Sequence, residues 1–177
     1  MARASARRWI GDARRGCCLV IGGLLMALAA PQRANAGADC DISAANVSFG
    51  TYEPALATPD DTAVTIMVTC RYVAPGTTGI DYRITLSNGL NATSAAARRM
   101  AAGTNLLAYN VYEDPARTRI WGSGTGGTVV ASGAMTVGPG VGNGTRTATH
   151  VIYGRIAALL DVEPGHYLDA LVVTLTY

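Results

Sequence analysis

Two neighbouring segments alternate apolar and polar residues with a period of two. Within residues 62–72 the apolar face consists of Val64, Ile66, Val68 and Cys70. Within residues 80–87 it consists of Ile80, Tyr82, Ile84 and Leu86. The intervening Ala74-Pro75-Gly76 favours a turn. The pattern therefore predicts two adjacent antiparallel strands, each with one buried face and one face in water.

Further short strands are predicted along the rest of the chain. They cover residues 47–52, 106–113, 118–121, 128–136, 147–156 and 167–177, and glycine or proline separates almost all of them. Only Ser94–Ala102 is alanine-rich and free of both breakers, which predicts a helical turn. Many short strands with frequent turns predict an all-β, immunoglobulin-like sandwich in one domain.

The last predicted strand is apolar on both faces. One face holds Tyr167, Asp169, Leu171, Val173, Leu175 and Tyr177, and the other holds Leu168, Ala170 and Val172. Such a strand normally has neighbours on both sides. Either an earlier segment closes this edge, or the edge stays open until another polypeptide adds a strand. The residues alone favour a closed sandwich.

Residues 1–36 have the layout of a secretory signal. Five arginines precede Gly16, an uncharged and mainly apolar run covers residues 17–30, and Ala34-Asn35-Ala36 supplies a cleavage pattern. A run of 14 residues spans roughly 21 Å as a helix, short of the roughly 30 Å hydrocarbon core, so no permanent membrane span is expected. We expect export through the Sec route and a mature domain of residues 37–177. Arg7-Arg8 would also allow twin-arginine export, which is the less favoured alternative.

Charge and cysteines limit the function of the mature domain. Residues 37–177 carry eight arginines and eleven acidic residues, a net charge of −3, which argues against a nucleic-acid partner. In an oxidising compartment Cys40 and Cys70 are expected to pair, since Cys17 and Cys18 leave with the signal. A reactive thiol or a metal ligand is the alternative, but no cluster of further ligands accompanies either cysteine.

Catalytic chemistry has few candidates. His150 and His166 are the only histidines, and each is expected to be solvated or hydrogen-bonded. Ser87, His150 and Asp169 could form a Ser-His-Asp set on paper, but no nucleophile motif supports it. We therefore expect no enzyme activity, no catalytic residue, no cofactor and no metal.

Three surface-type features are interpreted as structural. Residues 122–127 satisfy G-x-G-x-x-G, but a strand and not a helix is predicted after them, so a hairpin connection is favoured over phosphate binding. Trp121 beside this loop could stack on a sugar if it is exposed, although a buried anchor is the favoured interpretation. Arg98-Arg99 is interpreted as a solvated loop pair.

A series of short motifs resembles the spore coat protein U domain family, which includes subunits of archaic chaperone-usher pili. In order, the matching stretches are Cys40, VSFGTY (47–52), VTC (68–70), LLAYNVY (106–112), WGSGT (121–125), VIYGRI (151–156), PGHYLD (164–169) and LTY (175–177). They extend over essentially all of residues 37–177. The specificity of the resemblance comes from this series and not from any single motif.

The resemblance implies an immunoglobulin-like subunit that lacks its last strand. A periplasmic chaperone would lend a strand, a neighbouring pilus subunit would later replace it, and an outer-membrane usher would assemble the fibre at the cell surface. It assigns the acceptor groove to Tyr167, Leu171, Val173, Leu175 and Tyr177, and the disulfide to Cys40 and Cys70. It also assigns a docking contact with the chaperone to the carboxylate of Tyr177. The resemblance thus favours an open edge over a closed sandwich.

The chain departs from the family pattern at the mature N-terminus. Cleavage after Ala36 leaves only Gly37, Ala38 and Asp39 before Cys40, too few for a donor strand of about ten residues. We therefore expect a subunit that accepts a donor strand but can hardly supply one. This suits a tip or coat subunit better than a repeating rod unit. The alternative is a tip adhesin that binds a glycan or an apolar surface through Trp121.

Overall fold

The alternating segments fold into two β-sheets that face each other. A computed structural model describes residues 37–73, 76 and 78–177, together with the backbone of residues 2–10. The rest of the predicted signal, and two residues of the turn predicted at 74–76, lie outside the described residues. Among the latter, the strands are β1 (Ala2–Ile10), β2 (Ala38–Ala44), β3 (Ser48–Tyr52), β4 (Asp60–Tyr72), β5 (Thr78–Leu86), β6 (Arg99–Ala102), β7 (Asn105–Ala108), β8 (Asn110–Tyr112), β9 (Ala131–Val137), β10 (Thr145–Ile156) and β11 (His166–Thr176).

The first sheet, sheet A, has the strand order β3-β1-β11-β5-β9, and β6 joins it by pairing with β11 and β7. The second, sheet B, has the order β2-β4-β10-β8. Sheet B is built around the long antiparallel pair of β4 and β10, which are in register from Asp60–Ile156 to Arg71–Thr145. The prediction of an all-β sandwich is confirmed.

The predicted pairing of the first two alternating segments is wrong. β4 lies in sheet B between β2 and β10, whereas β5 lies in sheet A between β11 and β9. The prediction of which faces are buried is confirmed. Ile66, Val68 and Cys70 are buried in sheet B, and the apolar residues of β5 are buried in sheet A. Period-two alternation identifies which face is buried but does not identify the hydrogen-bonded neighbour.

Two other predicted elements are divided in the structure. The single strand predicted at residues 106–113 is two strands, because the chain leaves sheet A after β7 and enters sheet B at β8. Only Ala95–Ala97 of the predicted helical turn is helical, as a single 3₁₀ turn, and β6 follows it. Residues 118–121 contribute only isolated bridges at Ile120 and Trp121.

The core lies between the sheets, and a disulfide bond joins two neighbouring strands of sheet B. Cys40 of β2 and Cys70 of β4 are directly opposite in the register, and their sulfurs are bonded. Fully buried side chains from both sheets meet in the core, among them Ile66 and Val68 from sheet B and Ile84 and Tyr167 from sheet A. In the described part of the chain, no helix is long and apolar enough to cross a bilayer.

Candidate strand-acceptor groove

Sheet A contains a position that the domain of residues 37–177 does not fill. β3 and β11 are not neighbours, because β1 lies between them. β1 runs parallel to β11, from Arg3 opposite His166 to Ile10 opposite Val173. It runs antiparallel to β3, from Ala2 opposite Tyr52 to Ser5 opposite Ser48. We call this position between β3 and β11 the acceptor gap.

The strand in the acceptor gap belongs to the predicted signal. If cleavage follows Ala36, β1 leaves with residues 1–36, and the mature domain keeps β3 and β11 without the strand that joins them. Two strand spacings of about 4.8 Å separate β3 from β11, so the gap accommodates one strand. The backbone groups of both walls then need a new partner.

β11 forms the first wall of the gap. Tyr167, Leu171 and Val173 point inward and are buried, whereas Leu168 and Val172 on the opposite face are 40% and 42% exposed. This is the alternation expected from the sequence for the two faces. Since the pairing with β1 ends at Val173, Tyr167, Leu171 and Val173 line the gap.

The other two predicted groove residues lie beyond this pairing. Leu175 is partly buried and packs against the core. Tyr177 is 39% exposed, and its hydroxyl donates to Asp39 Oδ1 at 3.3 Å. Leu175 and Tyr177 therefore continue the face of β11 past the end of β1.

The hydrogen bonds of Val172 show which backbone groups of β11 point away from the gap and which point into it. Val172 N donates to Ser87 Oγ at 2.9 Å, and Ser87 N donates to Val172 O at 3.0 Å. Successive backbone groups of a strand point to opposite edges. The N–H groups of Leu171 and Val173 therefore point into the acceptor gap.

β3 forms the second wall and is held by contacts outside the gap. The Tyr52 hydroxyl donates to Ala157 O and accepts from Leu160 N, both at 2.8 Å. Phe49 packs edge-on against Tyr109 with 5.9 Å between the ring centroids. It also packs over Gly154, where a Cβ would come within 2.8 Å of its ring. These contacts anchor β3 to the β10 side of the core independently of β1.

A buried carboxylate fixes the middle of β11. Asp169 is 3% exposed. Its Oδ2 accepts the Tyr109 hydroxyl at 2.7 Å, and its Oδ1 accepts Leu90 N at 2.8 Å and Ala170 N at 2.9 Å. Burial, together with the Asp169 charge, raises the pKa of Tyr109, so Tyr109 stays a neutral donor to the carboxylate.

Arg98 is a buried cation, which corrects the prediction of a solvated pair at Arg98-Arg99. Arg98 is 0% exposed, whereas Arg99 is exposed. Its guanidinium donates to Ser87 O at 2.7 and 3.1 Å, to Trp121 O at 2.8 Å and to Asn110 Oδ1 at 2.9 Å. Burial lowers the pKa of Arg98 to about 10, and the side chain remains charged at neutral pH.

Trp121 is also buried, which confirms the favoured interpretation of a buried anchor and argues against the alternative of a ligand-stacking ring. The indole is 0% exposed, and its Nε1 donates to Ile84 O at 2.9 Å. Both the ring and its polar group are therefore used inside the domain. The structure presents Trp121 as a core anchor and not as an accessible ring.

Ser87, His150 and Asp169 do not form a catalytic triad in the structure. Ser87 Oγ accepts a hydrogen bond from Val172 N, and Asp169 accepts hydrogen bonds from Tyr109 and from backbone groups. His150 Nε2 lies 2.9 Å from the Tyr82 hydroxyl. Within the described residues, no group of three or more His, Cys, Asp or Glu side chains could hold a metal ion.

Several residues around the gap have roles that the sequence did not indicate. Phe49 and Tyr52 lie within a predicted strand. In a regular strand, residues three positions apart are on opposite faces, so alternation does not predict that both are buried, as they are in the irregular β3. Ser87 and Arg98 carry no local motif. Their role becomes visible only when residues 87–98 fold back against β11.

Comparison with known proteins identifies a family, and several solved structures also match the chain. The family model described as "Spore Coat Protein U domain" matches residues 26–174. A chain of the CsuC–CsuE chaperone–tip adhesion subunit pre-assembly complex, from archaic chaperone-usher Csu pili of Acinetobacter baumannii, matches with 22% identity and a TM-score of 0.46. The match covers 79% of the present chain and 40% of that chain. No curated protein matches the chain significantly.

Proposed function

Because the chain belongs to the Spore Coat Protein U domain family, we propose that it is an exported, non-enzymatic subunit of a chaperone-usher pilus or surface coat. It is completed by a strand that another polypeptide adds in the acceptor gap. The observation that carries this proposal is the strand order of sheet A, in which only residues of the predicted signal join β3 to β11. Removal of the signal then creates the open edge.

The chemistry of the gap suits strand addition. Backbone hydrogen bonds to β3 and β11 supply attachment that does not depend on the donor sequence. Alternating apolar donor side chains enter the core beside Leu171 and Val173 and set the register. A periplasmic chaperone supplies the first such strand, and its basic residues bind the carboxylate of Tyr177, whose side chain is exposed at the end of β11. Another subunit, delivered at the usher, supplies the second.

The position of the mature N-terminus supports a subunit that accepts a donor strand but does not supply one to a neighbour. β2 begins at Ala38 and pairs with β4, with Ala38 opposite Tyr72 and Asp39 opposite Arg71. After cleavage at Ala36, only Gly37 would precede this strand. Residues 38 and 39 are thus part of sheet B, which supports a role at a fibre tip or in a coat over a repeating rod unit.

The test uses the protein as exported by a bacterial host, with its N-terminus mapped by mass spectrometry. Thermal unfolding is measured with three ten-residue probes: an alternating Thr-Val peptide flanked by lysines, the same peptide with prolines at alternate positions, and a scrambled control. An open gap predicts that the first probe alone raises Tm with increasing concentration. No rise with the first probe, or an equal rise with all three, would contradict strand addition.

The site of signal cleavage gives a separate test of the proposal. We expect an N-terminus at Gly37 in the exported protein. An N-terminus upstream of Arg33 would contradict the tip or coat assignment, since it would add residues that could serve as a donor arm. Unprocessed protein that retains residues 2–10 is expected to respond less to the probe, because β1 already occupies the gap.

A further inference from the structure

The hydrogen-bond ladder between β5 and β11 ends in an unusual rung. Thr85 pairs with Thr174 in the antiparallel register, and Ser87 with Val172 is the next rung of the same kind. In a regular ladder both residues would exchange N–H and C=O bonds. Here Ser87 N donates to Val172 O at 3.0 Å, but Val172 N donates to the Ser87 hydroxyl at 2.9 Å and not to its carbonyl.

The Ser87 carbonyl is engaged elsewhere. Arg98 Nε and Nη2 donate to it at 3.1 and 2.7 Å. Since Arg98 is fully buried, its charge needs these acceptors. The carbonyl is therefore turned towards Arg98, the chain leaves sheet A at this point, and the hydroxyl takes its place as acceptor for β11.

Between its two strand pairings, β11 is held by individual hydrogen bonds. Its strand neighbour opposite the gap is β5 for Val173–Thr176 and β6 at Leu168 only. Between them, the Ser87 hydroxyl accepts from Val172 N, and Asp169 accepts from Leu90 N and the Tyr109 hydroxyl. The tight turn at Gly89 (φ +90°) allows the contact with Leu90, because a Cβ there would collide with the Asp169 carboxylate.

The stretch of β11 that has no strand neighbour on this edge coincides with the wall of the gap. β1 pairs with residues 166–173 of β11, so residues 169–172 receive a donor strand on one edge while the Ser87 and Asp169 contacts hold the other. We infer that Ser87 is a positioning residue for strand acceptance: its hydroxyl holds Val172, and thereby β11, in the geometry that receives a donor strand. Arg98 sets this arrangement by holding the Ser87 carbonyl away.

This inference rests on the proposed function and extends it to a specific side chain. A pre-arranged wall lowers the ordering cost of binding a strand. Loss of the Ser87 hydroxyl leaves Val172 N without its acceptor, and β11 must then be ordered when the donor arrives. The effect is expected on the association rate of the donor.

The experiment compares exported wild-type protein with Ser87→Ala, Ser87→Thr and Thr85→Ala, using the alternating Thr-Val probe and biolayer interferometry. Ser87→Thr keeps the hydroxyl, and Thr85→Ala removes a hydroxyl one rung away. Ser87→Ala removes the acceptor of Val172 N at 2.9 Å and of Gly89 N at 3.3 Å. Loss of the hydrogen bond to Val172 predicts association about fivefold slower. Ser87→Thr and Thr85→Ala should stay within about twofold of wild type.

Each outcome decides the question. Equal association of wild type and Ser87→Ala overturns the positioning role but leaves strand acceptance standing. Slowing by Ser87→Thr as large as by Ser87→Ala also overturns it, because the hydroxyl would not be the active group. No binding by wild type overturns strand acceptance and with it this inference.

A second measurement applies if Ser87→Ala does not fold. Amide hydrogen exchange of the peptide-free wild type should then show Val172 protected relative to Leu171, whose N–H points into the gap. Equal exchange of the two amides would show that Ser87 does not hold β11 before the donor binds.

Discussion

The two sheets differ in how much of their structure the domain of residues 37–177 supplies. In sheet B, β4 and β10 pair over twelve positions, β2 and β8 flank them, and the Cys40–Cys70 disulfide bonds β2 to β4. In sheet A, residues of the predicted signal occupy the position between β3 and β11. Residues 37–177 thus supply every strand of sheet B, whereas residues 2–10 supply one strand of sheet A. Under the proposed function, sheet B is the stable scaffold and sheet A contains the assembly site.

Loss of the disulfide should have the largest effect on this contrast. The bond closes a loop with a sequence separation of 30, for which the chain-entropy model gives about 3.5 kcal/mol. We expect Cys40→Ala/Cys70→Ala to lower the free energy of unfolding by about this amount, as measured by denaturant titration. The single variants Cys40→Ala and Cys70→Ala, in reducing buffer, serve as controls. A double variant as stable as wild type would contradict the scaffold role of sheet B.

Truncation at the gap should have the next largest effect, and it should depend on the donor. Leu171→Ala removes an inward side chain beside the gap, at a cost of about 2 kcal/mol or more when a strand covers it. Val172→Ala, on the 42% exposed outer face, is the matched control and should cost less. The comparison is between Tm values with and without the Thr-Val probe. The Leu171→Ala deficit should grow when the probe is bound, because only then is Leu171 fully buried.

A Leu171→Ala deficit that is equal with and without the probe would indicate that the gap is already closed. A Val172→Ala deficit that grows in the same way would indicate that the probe covers the wrong face of β11.

The contact between the two sheets should weaken in acid. His150 of β10 contacts Tyr82 of β5, and burial lowers the pKa of His150 below its ordinary value of 6.5, although Glu113 opposes this. The unfolded chain therefore binds the proton more readily, so the stabilising contribution is present above pH 6.5 and is lost as pH falls through the lower folded-state pKa. We expect Tm to fall between about pH 7 and pH 5 in part through this group.

His150→Gln keeps a possible acceptor for Tyr82 but does not titrate, and it should flatten that part of the profile. His166→Gln, at the exposed start of β11, is the control and should keep the wild-type profile. If His150→Gln leaves the profile unchanged, the contact between the sheets is not the acid-sensitive element.

The smallest effect is expected from a surface ion pair in sheet B. Arg155 Nε and Nη2 donate to the two oxygens of Asp61 at 2.7 Å each, across the β4–β10 ladder. These hydrogen bonds lower the pKa of Asp61. Asp61 also forms an ion pair with Arg117 Nε at 3.2 Å, so Arg155→Gln removes the Arg155 pair alone. Since this pair is at the surface, Arg155→Gln should cost less than about 1 kcal/mol. A larger loss of unfolding free energy would show that sheet B depends on this pair more than on its ladder and disulfide.

The sequence predicted the faces of the strands better than their neighbours. The buried residues of β4, β5 and β11 follow from alternation alone. The assignment of β4 and β5 to different sheets does not, because alternation within a strand carries no information about which strand lies beside it. The break between β7 and β8 was missed because residues 106–112 contain no glycine or proline to mark it.

The two-sided apolarity of β11 indicated a strand with neighbours on both sides, and β11 lies between β1 and β5. That Leu171 and Val173 belong to a groove that accepts a strand stays a prediction. Ser87 and Arg98 were not predictable, because their roles depend on contacts with Val172 and Trp121 that are far apart in sequence. Trp121 itself shows the limit of composition, since only the fold determines whether an aromatic ring beside a glycine-rich loop is buried.

Amide hydrogen exchange of the exported domain, with and without the Thr-Val probe, tests the acceptor gap most directly. Leu171 and Val173 amides should exchange rapidly in the free domain and become protected with the probe, whereas Val172 and the amides of β4 and β10 should be protected in both states. Protection of Leu171 and Val173 without any added strand would contradict the account, because the domain would then close the edge of β11 by itself.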